Sequence, residues 1–431
     1  MTVTELAPRF FLAAVVILLV CRGVSWALGR VRQPPVVGEM IAGVLLGPSL
    51  LGLLAPGLER ELFPPALLPV LYVVGQVGLV AFMFQAGHEF RSYLSRAIAG
   101  TAVTVSAAGI TVPLVLGAGL TFLARGHVDI FVPGVSTGVS AAFVGVALAI
   151  TAFPMLARII TERGLAGSRF GSLALASGAL DDVVAWILLA GILSVHTGRT
   201  RPVLEAVGGA ALFAAVVVLV LRKLLDRAMA HPRMSEEARL LVTVAVLFTA
   251  AWFTDEVGLY SVFGAFGIGM AMPRTAPAER VVHTTSYSTR TVFLPMFFTY
   301  SGLNTRFSLL DRPALLLFSL AAVVAAVIGK FGACWAVARL RGEPNAVAAR
   351  LGTLMNARGL MQLIALNVGL QAGLVNHSLF TALVLVALVT TVMTSPLLSL
   401  LDRRSPVPDP DQDPAAAGLP PVEVEARLTA Q

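Results

Sequence analysis

The chain has 431 residues, 57% hydrophobic and only 13% charged, with a mean hydropathy of +0.85. A soluble domain cannot hydrate so apolar a surface, so the composition points to a polytopic membrane protein. The net charge of +7 comes from short basic stretches between apolar runs, where it sets topology and is no sign of a nucleic-acid partner.

Apolar runs near the ~20 residues that cross a bilayer as a helix recur along almost the whole chain without strand-like alternation. About thirteen spans are expected in an all-α helical bundle, over residues 6–29, 35–54, 65–89, 97–123, 134–160, 168–196, 203–225, 237–256, 259–272, 287–303, 314–340, 346–371 and 378–401. Glu5 and Arg9 stand at the start of the first, and Arg22 lies within it. It lacks a basic leader and a small-residue cleavage site, and so reads as a retained helix. The second carries Glu39 within PPVVGEMIAGVLLGPSLLG, whose glycines suit close helix packing.

The fifth segment is interrupted by Thr151 and Pro154 in AITAFPML, and the twelfth by Asn356, Arg358 and Gly359 in LMNARGLMQL. Proline removes a backbone donor and glycine relaxes the helix, leaving polar backbone that needs an ion, a side chain or water. Paired broken helices in two inverted halves are a common transporter plan. Spans 1–6 and 8–13 are then the repeats, about 6–196 and 237–401, with 203–225 as the linking helix. This pairs the fifth span with the twelfth, the sixth with the thirteenth and the fourth with the eleventh.

Asp181 and Asp182 lie in the middle of the sixth segment. Carboxylates at that depth mark a proton or ion pathway and need a partner. Neighbours on a helix diverge by about 100°, so the two acids should have different tasks, one binding a transported cation and the other pairing with a fixed base. Lys330, one of only two lysines among 31 basic residues, sits inside the eleventh segment and is the expected partner. A Lys330–Asp181 pair can be ionic or share a proton in neutral form. Arg358 keeps its charge and suits carboxylates or the C-terminal carbonyls of a broken helix. Glu39 is either its partner or part of a cytoplasmic access path.

Cys21 and Cys334 fall in apolar segments and read as small buried hydrophobes. Basic residues collect at Arg30 and Arg32, Arg158 to Arg169, Arg222 to Arg239 and Arg339 to Arg350. With an external N-terminus they favour the inner side by roughly three to one. From Asp402 the chain turns to Pro, Asp, Ala and Glu, as expected of a disordered cytoplasmic tail over 402–431 with no regulatory domain after the membrane part. No phosphate-binding loop, metal-spaced His/Cys cluster or nucleophile elbow is present, so a transporter without a cofactor is expected rather than an enzyme. An intramembrane aspartyl protease would need both acids on one water, which adjacent helical residues do not provide.

At QPPVVGEMIAGVLLGPSLLG, TAFPMLARIITERG, SGALDDVVAWILLA, TVFLPMFFTYSGL, VIGKFGACWAVARLRG and LMNARGLMQLIALNVGL the chain resembles the monovalent cation:proton antiporter-2 family, which includes Kef-type and plant cation/proton exchangers. The resemblance covers about residues 6–401. It implies the sodium/proton antiporter fold, with inverted repeats, crossed broken helices, a mobile core beside a dimerisation domain and elevator-like alternating access. It further implies a homodimer in the cell membrane exchanging Na⁺ or K⁺ for protons. Asp182 then carries cation and proton by turns, Asp181 pairs with Lys330, Thr151 is a ligand-side polar group, and Asn356, Arg358 and Glu39 support them. Two adjacent acids with this lysine look like the electrogenic members. Two departures stand out. Gln362 replaces the usual acid of the RGLMEL-like stretch, and the nucleotide-binding domain of Kef proteins has no counterpart, which argues against the rival reading of a gated or proton-uncoupled K⁺ efflux system.

Overall fold

The computed structural model describes residues 3–31, 33–90, 96–165, 168–197, 200–257 and 261–404, and no strand occurs among them. The main helices are α1 (Val3–Gly29), α2 (Pro35–Leu46), α3 (Leu68–Phe90), α4 (Arg96–Leu123), α5a (Thr137–Ala149), α5b (Phe153–Glu162) and α6 (Arg169–Thr197). There follow α7 (Thr200–Val216, continued by Arg222–Ala230), α8 (Glu236–Glu256), α9 (Ser261–Ala271) and α10 (Ala276–Ser288, continued by Leu294–Leu303). Then come α11 (Pro313–Val327, continued by Ala333–Leu340), α12a (Asn345–Met355), α12b (Leu360–Gln371) and α13 (His377–Arg404). Within α7, α10 and α11 the continuation runs through a π-helical turn, at Val217–Leu221, Thr289–Phe293 and Ile328–Gly332.

Each expected apolar segment is a helix or a helix pair at nearly the expected place. Nine stretches among the described residues are long and apolar enough to cross a bilayer by themselves, whereas α5a and α9 are apolar but short. Two differences have local causes. The tenth segment starts at Ala276 rather than 287, because its first turns are amphipathic and bury Ala278, Val281, Val282 and Ser286 along one face. Short helices at Leu51–Leu54 and Pro56–Leu62, followed by a 3₁₀ turn at Pro65–Leu67, fill the connection after α2. The helix α13 runs to Arg404 and so takes in Asp402, and the rest of the expected tail, residues 405–431, lies outside the described residues.

Both expected interruptions are present. The Ser136 hydroxyl caps the start of α5a by accepting from the Val139 amide. After Ala149 the chain leaves the helix for three residues and re-enters at Phe153, so Pro154 sits in a first turn, where its missing donor is harmless. In the twelfth segment Gly359 has φ of +122°, a conformation closed to side chains with a Cβ, and this separates α12a from α12b. The two non-helical stretches meet, the Ala152 amide donating to the Ala357 carbonyl at 3.1 Å.

Close approach elsewhere relies on missing side chains. Helices α2 and α10 cross at Gly43 and Gly302, where a Cβ on either glycine would strike backbone of the other helix. A small apolar cluster including Ile17, Cys21, Leu46, Leu71 and Met296 packs beside this crossing. Gly302→Val should therefore force α2 from α10 and destabilise the fold by about 1–3 kcal/mol or more. Gly119→Ala on α4, where a Cβ meets only open space, should be neutral or mildly stabilising in the same thermal-unfolding measurement in detergent.

Candidate functional site

Four half-helix ends converge where the interruptions meet. Their free carbonyls and amides carry opposite partial charges, and in hydrocarbon each needs a partner. Arg358 supplies the carbonyl side. Its side chain is fully buried and donates Nη2 to the carbonyls of Leu148 and, at 3.3 Å, Ala326, while Nε reaches Ile150 O at 3.4 Å. The guanidinium thus caps the C-terminal end of α5a and ties it to α11. It is directed at carbonyls and not at Glu39, which lies half-buried on α2 within electrostatic reach of Cys21.

Lys330 reaches the crossing from α11. It sits in the π-turn Ile328–Gly332, a local widening that often accompanies functional positions in helices. Its ammonium donates to the Ala149 carbonyl and to Asp181 Oδ2, each at 2.5 Å, and both ionisable side chains are wholly buried. Asp181 is further held by the Thr151 hydroxyl on Oδ2 at 2.7 Å and the Ser106 hydroxyl on Oδ1 at 2.6 Å. Thr151 Oγ1 also lies 3.2 Å from Met355 O, joining the first interruption to the end of α12a. Three side-chain donors therefore surround Asp181, as a buried carboxylate requires.

Asp182 differs in every respect except depth. It is 3% exposed, and neither oxygen accepts a hydrogen bond from a side chain. The Phe153 amide at the start of α5b is the backbone donor directed toward it. Instead of a partner it has a cavity of about 440 Å³, bounded by α3, α6, α7 and α9 and lined by Met83, Trp186, Phe213, Phe266 and Arg222 among others. The divergence of neighbouring helical side chains thus sends one acid into a closed ion pair and the other to the wall of a cavity.

The expected residues are not all at one point. Thr151, Asp181 and Lys330 are joined directly, and Thr151 binds Asp181 rather than Asp182. Asn356 is at the second interruption but turns its amide to Met393 Sδ on α13, at 3.9 Å. Gln362 is buried on α12b and donates to Leu383 O at 3.1 Å, so it spans α12b to α13 as a neutral group. Ser106 had no place in the sequence-based set. A serine within the apolar run TAVTVSAAGITV was its one signal, and such a residue equally often bonds its own helix backbone.

Residues 12–400 match the family model of the transmembrane sodium/hydrogen exchanger. The chain belongs to the sodium/hydrogen exchanger family. Among relatives of this exchanger, the Na⁺/H⁺ antiporter NhaS4 of a Synechocystis species is 36% identical over 396 residues, covering 89% of this chain and 95% of the relative. Cation/H⁺ antiporter 18 of Arabidopsis thaliana is 34% identical over 91% of this chain, and the K⁺/H⁺ antiporter 1 of Saccharomyces cerevisiae 30% identical over 95%. The chain spans about half the length of these last two, 48% and 49%. The solved sodium proton antiporter MjNhaP1 of Methanocaldococcus jannaschii has the same fold, with a TM-score of 0.64 and 14% identity over 92% of this chain and 97% of that one.

Removing one member of a buried pair strands the other. Lys330→Ala should lower stability by about 3–5 kcal/mol, and the double change Lys330→Ala with Asp181→Asn should recover a large part of that loss. Thermal unfolding of the purified variants in detergent measures both, and additive effects would show that the pair contributes no coupling.

Proposed function

We propose that this exchanger moves a monovalent cation, Na⁺ or K⁺, against protons across the cell membrane, and that cation and proton take turns on Asp182. One observation carries the reading: a carboxylate at membrane depth with no side-chain hydrogen-bond donor on either oxygen, beside a cavity. Such a charge is tolerable only when a cation or a proton neutralises it. In the cycle, deprotonated Asp182 takes a partly dehydrated cation from one face, the core around the crossed helices moves, and protonation at the other face releases the ion. No covalent bond of a substrate changes, so no enzymatic step or cofactor enters.

Asp181 and Lys330 form the fixed part of the site. Thr151 and Ser106 hold Asp181, and Arg358 keeps α5a and α12 together so that the core moves as one body. Asn356 and Glu39 support the interruption and the approach on α2. If net charge crosses, each elementary charge adds ~2.3 kcal/mol per 100 mV of membrane potential. The two inverted repeats, about 6–196 and 237–401 with the linker at 203–225, are supported by the mutual hydrogen bond of the fifth and twelfth segments, each followed by one long helix. An external N-terminus and cytoplasmic C-terminus follow from the basic loops. The apolar face of α1, with Phe11, Leu19 and Trp26 exposed, suits lipid or the second copy of a homodimer.

Asp182→Asn should abolish exchange in everted vesicles while the protein still inserts. A pH-sensitive dye, with Na⁺, K⁺ and Li⁺ added separately, reads the exchange and its selectivity. Undiminished exchange by the variant would remove the carboxylate from the mechanism, and cation flux without proton movement would identify an uncoupled pathway.

A further inference from the structure

A second cavity, of about 280 Å³, lies between α3, α8, α9 and α12b. Tyr72, Gln76, Asp255 and Ser261 form its polar wall, and no Lys or Arg is among its described lining residues. The Tyr72 hydroxyl lies beside Gln76 and Gln371 with Asp255 within electrostatic reach, and the Tyr72 ring packs on Tyr300 at 5.3 Å between centroids. These groups belong to one end of the bundle. Tyr72 is near the start of α3, Asp255 is next to last in α8, and Ser261 opens α9.

The Asp182 cavity reaches the opposite end of the same short helix. It is lined by Met270 and Ala271, which close α9, and by Arg222, which follows the π-turn of α7. With only 11 residues, α9 has a cavity at each end. Val262 lines both cavities, while Val80 on α3 lines the polar one and Met83, one turn further along, lines that of Asp182. All three are buried, at 2%, 5% and 3% exposure. A thin apolar layer is thus what separates the polar pocket from the space beside Asp182.

We propose that the polar pocket is the vestibule through which a hydrated monovalent cation exchanges with the face opposite Arg222, with Asp255 as its collecting carboxylate and Val80, Met83 and Val262 as the seal. The inference rests on Asp182 as the exchange site. A carboxylate, an amide, a phenol and an aliphatic hydroxyl supply the oxygen donors a monovalent cation accepts, and an acid in a cleft with apolar walls concentrates cations from solution. An apolar layer without polar side chains stops a hydrated ion by refusing its water. The structure described here has the layer closed toward the vestibule, while the cavity that Asp182 lines extends to Arg222, the arrangement expected when one face is nearer to access than the other. The vestibule residue is outside the cluster of charges at the crossing, so its effect is on capture and release at one face and not on the exchange step.

Two measurements test this. Both native cysteines are buried, so Ser261→Cys and Arg222→Cys each present one accessible thiol to a charged, membrane-impermeant reagent. In vesicles of opposite sidedness the two should label from opposite faces, and labelling of both from the same face would overturn the proposal. Asp255→Asn should raise the apparent KM for Na⁺ or K⁺ supplied on the Ser261 face roughly three- to tenfold, leave the KM on the other face unchanged, and be rescued by Asp255→Glu. An unchanged KM on the Ser261 face, or an equal rise on both, would overturn the vestibule while cation/proton exchange by the wild type still stood. Absence of cation-dependent proton movement in the wild type would strike instead at the Asp182 reading.

Discussion

A bilayer supplies no water to ions or to peptide groups, and this constraint shapes everything at the centre of the molecule. Breaking a helix there exposes carbonyls and amides that must be met by protein. The chain meets them with the two longest cationic side chains available to it. Arg358 takes the carbonyls at Leu148, Ile150 and Ala326, and Lys330 takes the one at Ala149 together with Asp181. Each cation therefore serves backbone and fold before it serves any ion.

Against that background the contrast between two consecutive residues has a physical meaning. Asp181 has three side-chain donors, from α4, α11 and the first interruption, and its carboxyl group is fixed in place. Asp182 has no side-chain donor and lies beside a cavity. An acid tied to three protein donors is poorly placed to exchange ligands, whereas one without side-chain donors is left to recruit a neutralising ion. On the proposed reading, the nearby Lys330 and Asp181 set the electrostatic background in which a cation and a proton compete, and coupled groups of this kind act as a unit.

Much of this was legible in the sequence for reasons that can be named. Hydrocarbon thickness fixes the length of an apolar run, so the thirteen segments were readable, and so were their interruptions, because proline and glycine act on the backbone locally. The depth of Asp181, Asp182, Lys330 and Arg358 followed from their position within those runs. The beginning of α10 was not readable, because His283, Thr284 and Thr285 interrupt the apolar signal while a buried stripe persists beneath it. Ser106 was hidden among residues whose hydroxyls ordinarily bond their own helix. The attachment of Thr151 to Asp181, rather than Asp182, depends on where α4 and α11 stand around the first interruption, a tertiary fact that no local pattern carries. Both cavities were likewise invisible, since each is bounded by helices distant in sequence.

The central claim is that one carboxylate exchanges a proton for a metal ion, and proton release on cation binding measures it directly. Na⁺ or K⁺ added to purified protein in weakly buffered detergent solution, over a series of pH values, should release up to about one proton per chain. The release should be absent from Asp182→Asn. Cation binding without proton release at any pH, or equal release from the Asp182 variant, would contradict the account.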